Sequence, residues 1–384
     1  VMDAGYIAEE TYRAAAAEPL GVKARPEEML MSWFCETALS DVEADLVETC
    51  GMTPEAAHRF VICGGLRIET TEEPAVQAAL EKVFSELSLP DGLDCAMCIC
   101  DSQNGDLVAI VGHAGRKTAN RGANLAVVPH TPGSALKPLA LYAPLLDEKK
   151  INAATVFDDV PTDFTKSGDT YIAFPKNSPN VYAGLTTVAD ALRTSKNTVA
   201  VRLYAMRGAE SIYRSLRDDF GFDTVVRTAY GKDGGRLTDL APSPLALGQL
   251  TYGVSLRRLT EAYTVFPTEG VKYSPRSYTR VYDSDGRLLL DNEKTESRVF
   301  STGSARVMNQ MLSGVVENGT AKRITLKEAV DTAGKTGTSG DDRDRLFVGY
   351  TPYYTAGIWL GVNGTDRASV GSIPVSHLEI WDAV

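Results

Sequence analysis

No apolar run in the chain is long enough to cross a membrane, and no charged, apolar, small-residue pattern of a signal peptide opens it. Positive charge is in deficit: 39 Lys and Arg face 50 Asp and Glu, for a net charge of -11. That balance argues against a nucleic-acid footprint and for a solvated acidic surface. Cysteine is sparse, six residues in 384. Three of them, Cys95, Cys98 and Cys100, crowd into Asp94-Cys-Ala-Met-Cys-Ile-Cys-Asp101. A zinc site would need a second paired cluster, which the chain lacks, so these read as small apolar residues of a buried strand. Cys50 and Cys63 are able to pair in an oxidising compartment, and sequence leaves that open because geometry decides it. There are no internal repeats and no low-complexity linker.

What is present is ordinary globular material, 43% hydrophobic and 23% charged, in a length that suits a large domain with a smaller one. Such a core needs no staples. The opening Val1-Met2-Asp3-Ala4-Gly5-Tyr6 reads as helix and turn, as expected for a piece of a longer chain. Residues to about 65 are mainly helical in pattern. Ala8 to Ala17 is rich in helix formers, Pro26-Glu27-Glu28 opens a second helix, and Thr53-Pro54-Glu55 is a cap followed by proline. Leu66 to Thr70 alternates as a strand does, and Thr71 to Leu87 reads as a helix. Ala96–Cys100 and Leu107–Val111 flank the turn Asp101-Ser-Gln-Asn-Gly-Asp106 as a hairpin. From Gly133 to about Leu146 the apolar stripe Leu136, Leu139, Ala143, Leu146 predicts a helix. Short helices at Thr187–Arg193 and Thr198–Arg207 surround Ser195, and strands return at Arg345–Tyr350 and Ala356–Val362. Strands, a helical block and returning strands predict an α+β or α/β sandwich with helices flanking a sheet.

Three short motifs stand in order. In Ser134-Ala135-Leu136-Lys137 the helical spacing of three puts the Lys137 amine within reach of the Ser134 hydroxyl. A serine is a weak nucleophile until a base takes its proton, and an amine serves as that base when burial or a second cation lowers its pKa. The preceding Pro132-Gly133 fits a helix entry, where partial positive charge favours a developing anion. Ser195-Lys196-Asn197 offers a hydroxyl for moving a proton and an amide for holding a substrate carbonyl. Two other S-x-N matches, Ser102-Gln103-Asn104 and Ser178-Pro179-Asn180, lie in turn or loop sequence and have ordinary local roles. Lys335-Thr336-Gly337-Thr338 precedes a strand pair, where a cation and hydroxyls on an edge strand suit a substrate carboxylate. Gly337 there allows a substrate backbone to come close. Gly334-Lys335-Thr336 is not a phosphate loop, because Ala329 stands where the first glycine of that pattern belongs.

Each motif is weak alone. Together, with Ser195 61 residues after Ser134 and Lys335 140 residues after Ser195, the S-x-x-K, S-x-N and K-T-G trio resembles the penicillin-binding proteins and serine β-lactamases. The flanking text is similar to the transpeptidase domain of class A, bifunctional penicillin-binding proteins. That text includes Pro132-Gly133-Ser134-Ala135-Leu136-Lys137-Pro138, Ala191-Leu192-Arg193-Thr194-Ser195-Lys196-Asn197 and Gly334-Lys335-Thr336-Gly337-Thr338-Ser339. Gly64 to Thr71, Val316 to Ala321, Phe347 to Pro352 and Ile358 to Gly361 match as well. Gly5-Tyr6-Ile7 and Pro19-Leu20 resemble the link that follows the glycosyltransferase domain in that family. No E-D-x-x-F-x-x-H motif of such a domain is in this chain.

The resemblance implies an α+β fold of the penicillin-binding/β-lactamase type, a mainly antiparallel sheet flanked by helices, with an all-helical subdomain. It implies residues 1–65 as an interdomain linker region and 66–384 as the transpeptidase domain. The substrates it implies are peptidoglycan stem peptides ending in D-Ala-D-Ala. Ser134 would be acylated and Lys137 would take its proton. Ser195 would pass that proton to the leaving amine, and Asn197 would position the substrate amide. Lys335, Thr336 and Thr338, beside Gly337, would bind the terminal carboxylate, with the N–H groups of Ser134 and Thr338 as oxyanion hole. β-Lactam antibiotics would acylate Ser134. No cofactor, metal or nucleic acid enters, and the full-length protein is expected to be anchored at the extracytoplasmic face of the bacterial membrane together with a glycosyltransferase domain. A D,D-carboxypeptidase shares the acylation step, and a β-lactam-sensing receptor domain would stop at it. A class A β-lactamase would need E-x-x-L-N, and the chain has no Leu-Asn dipeptide.

Overall fold

The computed structural model describes residues 5–18, 30–167, 170–340, 342–362, 370 and 376–384. Two compact units are present, Val1–Met31 and Ser32–Val384. In the first, the described element is helix α1 (Glu9–Ala17), which buries none of its residues. The helix expected to open at Pro26 lies outside the described residues.

The second unit begins with α2 (Trp33–Cys50), capped by Ser32 accepting from the Cys35 N–H. Gly51, at φ +65°, ends it in the left-handed cap conformation that glycine adopts without a Cβ penalty. Helix α3 (Pro54–Cys63) starts as its sequence requires, with Thr53 as cap and Pro54 in the first turn. Cys50 and Cys63 close α2 and α3, and both thiols are free. The length of α3, about 15 Å at 1.5 Å per residue, separates Cys63 from the turn after Cys50.

Strand β1 (Arg67–Thr70) follows, then α4 (Pro74–Ser85), β2 (Leu93–Asp101) and β3 (Leu107–Val111). Helix α4 starts three residues later than the periodicity suggests, because residues 71–73 are held by strands. The Thr71 N–H donates to Ser277 O, the Thr71 hydroxyl to Leu107 O, and the Glu73 N–H to Val108 O. Strands β2 and β3 form the expected hairpin, its turn closed by Asp101, whose carboxylate accepts from the Gln103 N–H and the Asn104 amide. The three cysteines of β2 are buried core residues; burial raises all three thiol pKa values, Cys98 to about 12.

The helical block that comes next includes α5 (Ala143–Asp147), α6 (Val188–Arg193), α7 (Asn197–Arg207) and α8 (Leu256–Tyr263). Strands β4 (Tyr278–Tyr282) and β5 (Leu288–Asp291) and the long α9 (Thr302–Asn318) lead to β6 (Ala333–Thr338), β7 (Asp344–Tyr350) and β8 (Tyr354–Val362). Helix α10 (His377–Asp382) follows. The central sheet is fully antiparallel, in the order β6-β7-β8-β2-β3. Strands β2 and β8 are buried on both faces over seven consecutive residues, so helices cover the sheet on both sides. The architecture is the α+β one expected, and the K-T-G strand β6 is an edge strand of that sheet.

A second, smaller core joins α2 and α3 to the three-stranded sheet β1-β4-β5, through Val42, Leu46, Ala57, Val61, Tyr278, Val281 and Leu290. Helix α2 also enters the central core with Trp33, Phe34 and Ala38, and polar contacts add to that tie. Arg257 of α8 makes a bidentate bond to Asp41 of α2, at 2.9 and 2.7 Å, and reaches Glu261 at 2.7 Å. Ser277 donates to the same Asp41 carboxylate and Tyr278 to Asp45. Breaking such a shielded pair strands the remaining charge. Arg257→Ala is expected to cost about 3 kcal/mol, read as a lower urea midpoint, with Arg257→Lys recovering only part because it loses the bidentate fork.

Candidate active site

Ser134 sits where the helix expected from Gly133 is least regular. The stripe Leu136, Leu139, Ala143, Leu146 is buried as predicted. The path, however, is a 3-10 turn at Gly133–Leu136, a π turn at Pro138–Tyr142, and only then α5. Two prolines explain this. In an α-helix the Ser134 carbonyl would accept from residue 138, but Pro138 has no N–H, so Lys137 N–H takes it in 3-10 fashion. The Ala140 carbonyl loses its helical donor to Pro144 in the same way, and the Arg207 guanidinium supplies one at 2.6 Å. The Ala135 carbonyl accepts from the buried Tyr263 hydroxyl. The turn holding the serine is therefore pinned from outside by side chains of α7 and α8.

The turn also touches the edge strand. Gly133 has φ +53°, and a Cβ there would stand 2.3 Å from Thr338 O and 2.7 Å from Thr338 N. A Cβ on Gly337 would stand 2.2 Å from Pro132 O. The backbone that meets the Cβ position of Gly337 is the protein's own, a close approach the sequence did not indicate. This contact brings the backbone of Thr338 beside that of the Ser134 turn.

Ser195 joins α6 to α7 in the left-handed region, φ +60°, a conformation non-glycine residues adopt at a cost of about 1 kcal/mol or more when the surroundings impose it. Here Ser195 N–H is bound to Leu192 O and Lys196 N–H to Ala191 O. The result presents both polar atoms of Ser195 to the two motif lysines. Its carbonyl accepts from Lys137 Nζ at 3.0 Å, and its hydroxyl accepts from Lys335 Nζ at 2.9 Å. Lys137 also donates to Asn197 Oδ1 at 2.7 Å, and Lys335 to Thr336 O at 3.0 Å.

Both lysines are fully buried. Burial lowers the Lys137 pKa strongly, and the neighbouring Lys335 cation lowers it further; burial brings Lys335 down to about 7. A neutral amine has two N–H donors and one lone pair. Ser195 O and Asn197 Oδ1 account for the two donors of Lys137, which leaves the lone pair as a base. Ser134 is half-buried, and among the described residues its hydroxyl has no hydrogen-bond partner. Thr336 is half-buried and Thr338 exposed, so the outer part of the strand is accessible from solvent.

All eight motif residues thus come from three distant stretches into one place. The other two S-x-N matches do not join them: Ser102 bonds to Thr355, and Asn180 accepts from Tyr182.

A supporting shell carries no motif. The wholly buried Asp159 accepts from Lys196 Nζ at 2.7 Å, Asn177 at 2.6 Å, the Ala183 N–H at 2.8 Å and the Thr198 hydroxyl. Asn177 in turn accepts from the Asn197 N–H at 2.9 Å, capping α7 from a distant segment, while Asn197 Nδ2 donates to Lys176 O at 2.7 Å. The lysine at the middle of S-x-N, which reads as a spacer, is the anchor of that loop.

An S-x-x-K turn with a buried lysine of lowered pKa, faced by S-x-N and K-T-G, is an arrangement able to support acyl transfer to a serine. A family model described as the penicillin binding protein transpeptidase domain matches residues 95–374, and the chain belongs to that family. Penicillin-binding protein 1A of Clostridium perfringens (strain 13 / Type A) is 30% identical over 386 residues, covering 93% of this chain and 55% of the relative. Penicillin-binding protein 1F of Bacillus subtilis (strain 168) is 31% identical over 381 residues, covering 95% and 48%. The chain spans about half the length of these curated relatives. Among solved structures, PonA1 of Mycobacterium tuberculosis in complex with penicillin V has a TM-score of 0.71 at 21% identity, over 91% of each chain. Penicillin-binding protein 1A of Haemophilus influenzae has a TM-score of 0.70 at 18% identity, over 99% of this chain and 73% of that one. These share its fold.

The hydrogen bonds to Asp159 outweigh its burial and lower its carboxyl pKa to about 2. A depressed carboxyl contributes stability that is fully present above its unfolded value and lost as pH falls toward the folded one. The stability advantage of the wild type over Asp159→Asn, measured by urea denaturation, is expected to be constant above about pH 5 and to shrink toward pH 2.

Proposed function

We propose that this chain is a serine D,D-transpeptidase that cross-links peptidoglycan stem peptides through an acyl-enzyme on Ser134. The observation that carries the reading is the pair of buried amines meeting at Ser195, with burial and the second amine lowering the pKa of Lys137. Ser134 Oγ attacks the carbonyl carbon of the penultimate D-Ala while its proton passes to the lone pair of Lys137. The N–H groups of Ser134 and Thr338 stabilise the oxyanion. As the C–N bond breaks, the amine of the terminal D-Ala takes a proton relayed through Ser195, between Lys137 and Lys335, and departs. The amine of a second stem then attacks the ester, giving a new amide and returning Ser134. Asn197 positions the donor amide, and charged Lys335 with Thr336 and Thr338 holds the terminal carboxylate. β-Lactams present a similar carbonyl and carboxylate and leave Ser134 acylated.

On this reading residues 66–384 are the transpeptidase domain, and 1–65 lead into it from a glycosyltransferase domain. The full-length protein is anchored at the extracytoplasmic face of the bacterial membrane. No helix among the described residues is long and apolar enough to cross one.

Labelling by a fluorescent penicillin is expected to place one adduct on Ser134 and to vanish in Ser134→Ala; labelling that survives the substitution refutes the reading. Turnover of a D-Ala-D-Ala peptide with and without an added amine then separates transpeptidation from D,D-carboxypeptidase action and from a receptor that stops at the acyl-enzyme.

The acylation rate should rise with pH as Lys137 loses its proton and fall as Lys335 does so near 7. Lys335→Arg, whose guanidinium stays charged, should shift the falling limb to higher pH. An unchanged limb would remove Lys335 from that role.

A further inference from the structure

Thr336 has a partner outside the three motifs. Helix α9 ends at Asn318, and the turn after it is fastened to the end of α6. Thr320 N–H donates to Arg193 O at 3.3 Å, and Arg193 donates to Asn318 O at 3.2 Å and to Asp190 through two nitrogens. A Cβ on Gly319 would stand 2.5 Å from Arg193 O, so glycine is what lets this turn sit there. The Thr320 backbone is thereby fixed to the helix that delivers Ser195. From that position the Thr320 hydroxyl lies 2.6 Å from the Thr336 hydroxyl. Thr320 is exposed, so the pair faces solvent rather than the core.

A hydroxyl has one proton to give and two lone pairs to accept with. In the Thr320–Thr336 pair one hydroxyl donates and the other accepts. When an anion docks on Thr336, the Thr336 proton points at the anion, and the remaining bond of the pair requires Thr320 to be the donor. A donor behind it fixes the Thr336 rotamer and strengthens its outward bond, because hydrogen bonds in a chain polarise one another.

We propose that Thr320 is a positioning and specificity residue: its hydroxyl donates to Thr336 and aims the Thr336 O–H at the carboxylate of the acyl donor. The inference rests on the assignment of Thr336 to carboxylate binding made above. Its effect is confined to ligands that bear the carboxylate, since a donor lacking that charge gains little from an aligned Thr336.

The test compares the second-order rate of Ser134 acylation by a β-lactam with that by the same compound as its carboxyl methyl ester. Thr320→Val keeps the shape and removes the hydroxyl; it is expected to slow the carboxylate form about tenfold, the loss of one hydrogen bond to a charged system, and to leave the ester rate nearly unchanged. Thr320→Ser is expected to restore the carboxylate rate. Thr320→Ala serves the same purpose if the valine variant melts earlier than the wild type. Equal slowing of both ligands in Thr320→Val and Thr320→Ala would mean that Thr320 is structural, and no slowing of either would mean that Thr336 needs no second hydroxyl; each overturns the proposal. Thr336→Val is run in parallel. If it fails to discriminate the two ligands, the carboxylate assignment falls and the inference with it. If it discriminates and the Thr320 variants do not, only the inference falls.

Discussion

Two amines are buried side by side at one site, and burial disfavours the charged form of both. Lys137 and Lys335 are each buried completely, and the charge of one raises the cost of charging the other. The site resolves this by giving the lysines different surroundings. Lys137 faces a carbonyl and an amide oxygen, while Lys335 faces a hydroxyl and a carbonyl. Ser195 touches both, which explains why its backbone is held in a conformation that serine does not favour. A buried ammonium without such oxygen partners would give up its proton rather than stay charged.

The rest of the unit keeps those atoms in place. Prolines at 138 and 144 break regular hydrogen bonding around Ser134, and Tyr263 and Arg207 restore it from α8 and α7. Glycines at 133 and 337 let the serine turn lie against the edge strand. Asp159 collects four donors so that the loop bearing Ser195 and Asn197 has one geometry. Each device satisfies a group that burial or proline left without its regular partner, so rigidity at the site and polar satisfaction are the same requirement.

The motifs and most elements were legible because they depend on short-range signals. The hairpin β2–β3, the caps at Thr53 and Pro54 and the apolar stripe after Ser134 follow from local turn chemistry and periodicity. The cysteines of β2 were legible as core from their apolar neighbours. The supporting residues were not. Asp159 reaches Thr198 across 39 positions and Tyr263 reaches Ala135 across 128, and nothing near either one in sequence marks it. The start of α4 was misjudged because strand contacts at Thr71 and Glu73 outweigh helical pattern there. A structural reason for Gly337 was not legible, because what fills the missing Cβ space is backbone from a stretch two hundred residues away. Pattern finds what a residue is; only the fold finds what it faces.

Strand β6 has a sheet neighbour on one side only, yet it carries Lys335, Thr336, Gly337 and Thr338. Edge strands open locally at lower free energy than the strands between two partners. A brief detachment of β6 would remove Lys335 from Ser195 while β7, β8, β2 and β3 stay paired. Lys137, whose pKa burial lowers most, would then lose the neighbouring cation that lowers it further, and its amine would be protonated more readily. On the function proposed above, competence for acyl transfer and integrity of the fold are therefore separate quantities, and the first responds to fraying at one edge that leaves the second untouched.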